Sequence, residues 1–166
     1  MCGIFGLIDN NGHIVKSKKN FLDISKQFFI QNSVRGRDSA GITLIQDQRL
    51  SSFKFPIDPK LFLNFKKTKD FLNEIDFLKF RGFLGQCRLV TNGPKYDNQS
   101  NQPIILKNII GYHNGIVLDF TQENFIEGIN NENDTKKLFS SLNEKINNKQ
   151  STEQYLNSLN GTISIS

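Results

Sequence analysis

A cysteine stands at position 2, directly after Met1. Removal of Met1 would leave a thiol and a free α-amine on one residue. That pair suffices for nucleophilic catalysis, because the amine's reference pKa of about 7.7–8.0 lies below the thiol's of about 8.5. Near neutrality a neutral amine can take the proton as sulfur attacks a carbonyl, and no separate catalytic histidine is required. The competing reading of Cys2 is a small buried hydrophobe on a first strand, the usual fate of a free cysteine. Three further stretches stand out for their polar and glycine content: Arg35-Gly36-Arg37-Asp38-Ser39-Ala40-Gly41, Arg88-Leu89-Val90-Thr91-Asn92-Gly93 and His113-Asn114-Gly115-Ile116.

Other chemistries fit the chain less well. Two cysteines and two histidines in unrelated local contexts do not make a zinc knuckle, and no metal or cofactor is expected. Ser39 lacks the G-x-S-x-G setting of a serine hydrolase, and neither a P-loop nor a dinucleotide fingerprint is present. His13 lies beside a turn and reads as solvated. His113 reads as a strand-end residue that orients the Asn114 loop. Cys87 reads as structural, since strand alternation turns the Arg88 guanidinium to the opposite face.

The elements that must position these groups follow from periodicity. Residues 2–8 are apolar on both alternating faces, which suits a strand covered on both sides. Asp9-Asn10-Asn11-Gly12 makes a turn, and residues 13–16 are predicted to return as a second short strand. Ser17 is the expected N-cap of an amphipathic helix ending near Ser33. Strands are predicted at 42–45 and 53–55. One or two helices follow over 60–80, with Leu61, Phe65, Leu72, Ile75 and Leu78 near one face. A strand over 85–91 runs into the Asn92-Gly93-Pro94 turn, and residues 104–112 form a hairpin about Lys107-Asn108. Asp134-Thr135 is predicted to cap a helix reaching about Asn147, Ser151 starts another, and 162–166 is a strand. Strands and helices are mixed rather than alternating, so the class is α+β with antiparallel sheet.

The 166 residues suit one domain, and 15 phenylalanines supply a core. No apolar run reaches membrane-spanning length and the N-terminus lacks the basic-then-apolar order of a signal peptide, so no membrane partner and a reduced, cytoplasmic setting are expected. The net charge of +5 comes with lysines at 16, 18, 19, 66, 67, 69, 136 and 137 in short groups broken by carboxylates and amides. They read as solvated helix faces, so no nucleic-acid partner is expected.

Taken together and in order, Cys2-Gly3-Ile4-Phe5-Gly6 and the three stretches above resemble class II glutamine amidotransferases, which are N-terminal-nucleophile hydrolases. The Arg-Gly-x-Asp-Ser-Ala-Gly stretch is most similar to the glutaminase domain of glucosamine-6-phosphate synthase, with amidophosphoribosyltransferase next. Asparagine synthetase, which typically has Pro after the Arg-Gly pair, matches less well. The resemblance implies a four-layer αββα sandwich with two antiparallel sheets. It also implies L-glutamine as substrate, with Cys2 forming a γ-glutamyl thioester and releasing ammonia. In that correspondence Asn114 and the Gly115 N–H form the oxyanion hole, Arg88 pairs with the glutamine α-carboxylate and Asp134 receives its α-ammonium. Thr91 and Asn92 line the pocket, and Arg35 and Gly36 support the nucleophile. A plain turn is the competing reading of Asn114-Gly115, and a helix cap that of Asp134.

The sequence departs from the family at several points. Leu89 stands where the sugar-phosphate synthases usually carry Trp, and Asn92 and Gln102 where they usually carry His, which bears on the acceptor. The family's domain usually continues through further strands into a synthase domain. Residues 1–166 are therefore expected to be a glutaminase domain lacking its last strands, with a synthase domain or subunit as the partner that receives ammonia. Another N-terminal-Cys amidohydrolase, lacking a working Arg88 and Asp134 pair, is one alternative. An inactive binding or regulatory module is the other. The oligomeric state has no sequence signal.

Overall fold

The apolar residues of the first 90 positions assemble around a single antiparallel sheet. In the computed structural model, residues 2–47, 49–90, 96–119 and 133–166 are described. β1 (Gly3–Ile8), β2 (Ser39–Gln46), β3 (Arg49–Phe55) and β4 (Phe80–Arg88) form a four-stranded sheet in the order β1-β4-β2-β3. Gly3 pairs with Cys87, Ser39 with Arg88 and Gly41 with Lys54.

Strand alternation gives this sheet two unlike faces. Phe5, Ile42, Phe83 and Cys87 point one way and are buried against α1 (Lys18–Asn32). Ser17 caps α1 by accepting from the Asn20 N–H at 3.2 Å, as its position predicts. Phe21 and Phe29 enter from the helix, and Phe5 meets Phe29 edge-on at 5.0 Å between centroids. α2 (Pro59–Phe62) and α3 (Lys66–Asn73) close the far side with Phe62 and Leu72. The expected single apolar face over 60–80 does not form: Leu61 and Leu78 lie in solvent, 57% and 86% exposed. Two short helices with a break between them reset the helical phase, so Phe62 rather than Leu61 turns inward.

The other face mixes polar and small residues with Ile4 and Leu84 and meets a second, smaller body. β5 (Ile104–Ile105) pairs with β6 (Ile110–Gly111) as the expected hairpin, and β7 (His113–Val117) pairs with β8 (Gly161–Ile165). α4 (Asp134–Asn147) packs Leu138, Phe139 and Leu142 against Ile104 and Val117, and α5 (Thr152–Ser158) follows it. Ser151 caps α5 through the Gln154 N–H. Among the described residues this second layer holds two separate strand pairs rather than one continuous sheet. On the β7 edge away from β8, the N–H groups of His113 and Val117 are taken by the side chains of Gln102 and Asp134, so no strand can add there.

Two local expectations are corrected. Residues 13–16 form no strand; the Asp9 carboxylate accepts from the N–H groups of His13, Ile14 and Val15 at 2.8–2.9 Å, satisfying them without a partner strand. The N-cap of α4 is Asn133, whose side chain accepts from the Thr135 N–H at 2.8 Å; Asp134 is the first helical residue. Its carboxylate is thereby turned toward β7. The 92–94 turn lies outside the described residues. Among the described residues no helix is long and apolar enough to cross a membrane.

Candidate active site

Cys2 precedes β1 by one residue. The Gly3–Cys87 register therefore sets it opposite Arg88, on the polar face of the sheet. Its neighbours come from two loops and one strand. The Cys2 N–H donates to Asn114 Oδ1 at 3.0 Å, and the Cys2 thiol lies 3.7 Å from the Leu89 carbonyl. Arg35 Nε donates to the Cys2 carbonyl at 3.1 Å. Gly36 lies so close to the backbone of Arg88 that an added Cβ would come within 2.3 Å of it. The turn after β4 is held by Asp38: its N–H donates to the Arg88 carbonyl at 2.9 Å, and its carboxylate accepts from the Val90 N–H at 2.8 Å.

Asn114 and Gly115 lie within β7, not in a turn or a loop. Tyr112 and Ser166 exchange both backbone hydrogen bonds, at 2.9 and 3.1 Å. Ladder alternation then turns the N–H groups of Asn114 and Ile116 toward β8, and those of His113, Gly115 and Val117 away from it. Gln102 and Asp134 accept the first and last of these three. The Gly115 N–H between them meets no acceptor among the described residues. Gly115 has φ +154°, and a Cβ there would come within 1.8 Å of the Thr162 carbonyl oxygen, so only glycine fits. Because Oδ1 of Asn114 accepts from residue 2, Nδ2 is the donor left facing outward. Two donors from neighbouring residues thus lie on the strand that meets residue 2.

Arg88 is buried, and one guanidinium nitrogen donates to Asn101 Oδ1 at 2.8 Å. Asp134 is buried at the start of α4 and accepts from the Val117 and Thr135 N–H groups at 3.1 and 2.8 Å. Both charges reach Cys2. Burial, the largest influence, pushes the thiol up, Arg88 pulls it down and Asp134 adds to the rise. A thiol held protonated in this way needs a base to become a nucleophile. His113 is not placed to be one. Its Nδ1 lies 2.9 Å from the Thr135 hydroxyl, and burial lowers its pKa against the opposing pull of Asp134 and the Thr162 carbonyl, which keeps the ring neutral. Cys87 is inert: it faces α1, its thiol donates to the Phe29 carbonyl at 3.8 Å, and burial pushes it up to about 12.

Of the residues singled out from the sequence, Cys2, Arg35, Gly36, Arg88, Asn114, Gly115 and Asp134 are brought to one end of the polar face. Thr91 and Asn92 lie outside the described residues. Asn101, Gln102 and Gln86 complete the framework and carried no motif of their own; Gln86 Nε2 donates to Gln102 Oε1 at 2.8 Å and to the His113 carbonyl at 3.0 Å. Asp38 was legible only as part of the Arg35–Gly41 stretch. Among the described residues no cluster of His, Cys, Asp and Glu could hold a metal ion. A cavity of about 330 Å³ between α1, α2 and α3 opens on the other side of the sheet and contains none of these groups.

No protein-family model and no curated protein sequence matches the chain. Among solved structures it is similar to the glutamine phosphoribosylpyrophosphate (PRPP) amidotransferase from B. subtilis complexed with ADP and GMP, with a TM-score of 0.52 and 18% identity. The likeness covers 99% of this chain and 34% of that one, so this chain spans about a third of that protein's length. At this identity it is a likeness of fold alone: a mixed α/β chain with antiparallel sheets. It does not single out glucosamine-6-phosphate synthase.

Proposed function

We propose that residues 1–166 form the glutaminase domain of a glutamine amidotransferase, in the four-layer αββα arrangement of that class. The observation that carries this reading is the 3.0 Å contact from the residue 2 nitrogen to Asn114 Oδ1, beside the unmatched Gly115 N–H. Once Met1 is removed, the α-amine of Cys2 takes the thiol proton as sulfur bonds to the side-chain carbonyl carbon of glutamine. Asn114 Nδ2 and the Gly115 N–H then donate to the oxyanion, a stabilisation of about 2.7–4 kcal/mol for such a donor. The ammonium returns its proton to the amide nitrogen, the C–N bond breaks, and ammonia leaves behind a γ-glutamyl thioester. Water adds to the thioester, the amine again takes a proton, and glutamate departs as the thiol is restored.

In this scheme Arg88 reads the α-carboxylate, Asp134 the α-ammonium, and Thr91 and Asn92 line the pocket. Arg35 and Gly36 hold Cys2 and the Arg88 turn in place. The ammonia acceptor is a sugar phosphate on a synthase domain or subunit. The Arg35–Gly41 stretch favours the amino-sugar type, and the fold likeness to a PRPP amidotransferase favours a phosphoribosyl one. The setting is cytoplasmic. The deciding experiment treats the chain with a glutamine-analogue inactivator and locates the adduct by intact and peptide mass. A single adduct on residue 2, with glutamate release from glutamine and no amination by this chain alone, is the expected result. An unmodified residue 2 in a processed, folded chain would overturn it.

A further inference from the structure

Lys54, on β3, lies in a row that crosses the polar face from Gln86 through Gly41. Its ammonium donates to the carbonyls of Asn101 at 2.6 Å and Pro103 at 2.8 Å, with that of Gln99 at 3.5 Å. All three N–H directions are thus directed at one short backbone segment, and no carboxylate among the described residues pairs with it at ion-pair distance. The segment answers in kind, since Asn98 Nδ2 donates to the Lys54 carbonyl at 3.1 Å.

Two side chains of that segment reach the candidate site. Asn101 accepts from Arg88 at 2.8 Å. Gln102 accepts from the His113 N–H at 2.6 Å and donates to the His113 carbonyl at 3.0 Å, holding the residue before Asn114 from both sides. One cation outside the site therefore orders the piece of chain that aims Arg88 and anchors β7. We propose that Lys54 is a positioning residue for glutamine, its ammonium seating residues 99–103 so that Arg88 and Asn114 are held in register with Cys2. The inference rests on the glutaminase reading for its substrate, though not for the seating itself.

The seat is sensitive to pH. Burial lowers the Lys54 pKa to about 8, Asp97 opposes that, and Arg88 and Lys136 add to it; these are the charged groups that face it from the 97–103 segment, β4 and α4. As the pH rises through this value the side chain loses a donor and its charge, leaving two N–H groups for three carbonyls.

The test compares wild type, Lys54→Met and Lys54→Arg. At about pH 7, Lys54→Met is expected to raise the glutamine KM about tenfold or more through Arg88, the scale of hydrogen bonds to a charged group, with a smaller fall in kcat through Asn114. Between about pH 7 and 9 the wild-type KM is expected to rise more steeply than that of Lys54→Arg, which stays protonated; the titration of glutamine itself is common to both. A wild-type KM in Lys54→Met, or parallel alkaline rises in wild type and Lys54→Arg, would overturn the proposal. Hydrogen exchange over residues 97–113 reads the seating without any activity, and Lys54→Met must exchange faster than wild type there. Unchanged exchange refutes the seating whatever the substrate, whereas faster exchange in a chain that does not hydrolyse glutamine refutes only the glutaminase reading.

Discussion

The two faces of the four-stranded sheet are built on opposite physical terms. Toward α1 stand Ile42, Phe5 and Phe83, at most 8% exposed, and the two rings meet Phe21, Phe28 and Phe29 in edge-on and offset pairs. Apolar burial is non-directional, so this face tolerates any filling of about the right volume and shape. Toward the second layer stand Cys2, Gly41, Lys54, Gln86 and Arg88, the last three with side chains held by directional contacts to Asn101, Gln102, His113 and Pro103. Such a face is directional: each donor is useful only if its acceptor sits within a few tenths of an ångström. Stability is concentrated on one side of the sheet and candidate chemistry on the other, with the backbone of β4 carrying both.

That division makes substitutions on the two faces separable. The largest effect is expected at Cys2, where Cys2→Ser should lower glutamine hydrolysis by about 10³-fold or more while the urea midpoint stays at wild type. Keeping Met1 on the chain should silence it equally, because an amide nitrogen cannot accept the thiol proton. A Met1-retaining form as fast as the processed one would break the comparison outright.

On the opposite face, Phe83→Ala should cost about 3–5 kcal/mol of unfolding free energy, since the ring is fully buried between α1 and the sheet. The kcat of the fraction that remains folded should stay near wild type. A change in kcat at constant stability would show that the aromatic face is not merely structural. Asn114→Ala should lower kcat by about 10²–10³ with little change in KM, the pattern of a group used in the transition state. If kcat is unchanged, Nδ2 is not an oxyanion donor.

The smallest effect is expected at Asp9, at the far end of β1. Its carboxylate is held below the ordinary range by the Val15, Ile14 and His13 N–H groups, against the pull of burial. A carboxylate lowered in the folded state contributes stability that is complete above its unfolded pKa of about 3.9 and is lost as the pH falls through the folded value. The urea midpoints of wild type and Asp9→Asn should therefore differ at about pH 7 and converge under acid. A gap that persists there would mean that the Asn side chain fails for steric reasons instead.

What could be read from the chain alone was whatever depends on local spacing. The apolar stripe of α1 and its Ser17 cap, the Lys107-Asn108 hairpin, the Ser151 start of α5 and the inward Cys87 are all consequences of three- or two-residue periods and short side-chain-to-backbone reach. The order of the four motifs likewise brought Cys2, Arg88 and Asn114 into one hypothesis before any geometry was known. Tertiary structure decided the rest. Asn114-Gly115 has the composition of a turn and becomes a strand because β8, some 50 residues later, pairs with it. Asp134 has the composition of a cap and yields that place to Asn133, turning instead to the Val117 N–H. Asn101 and Lys54 belong to no motif, and Gln102 stood out only as a departure from the family, since their importance lies in carbonyls and side chains brought to them from distant positions. Hydrophobic periodicity is a property of neighbours along the chain, whereas a polar site is a set of directional contacts between residues that only folding makes neighbours.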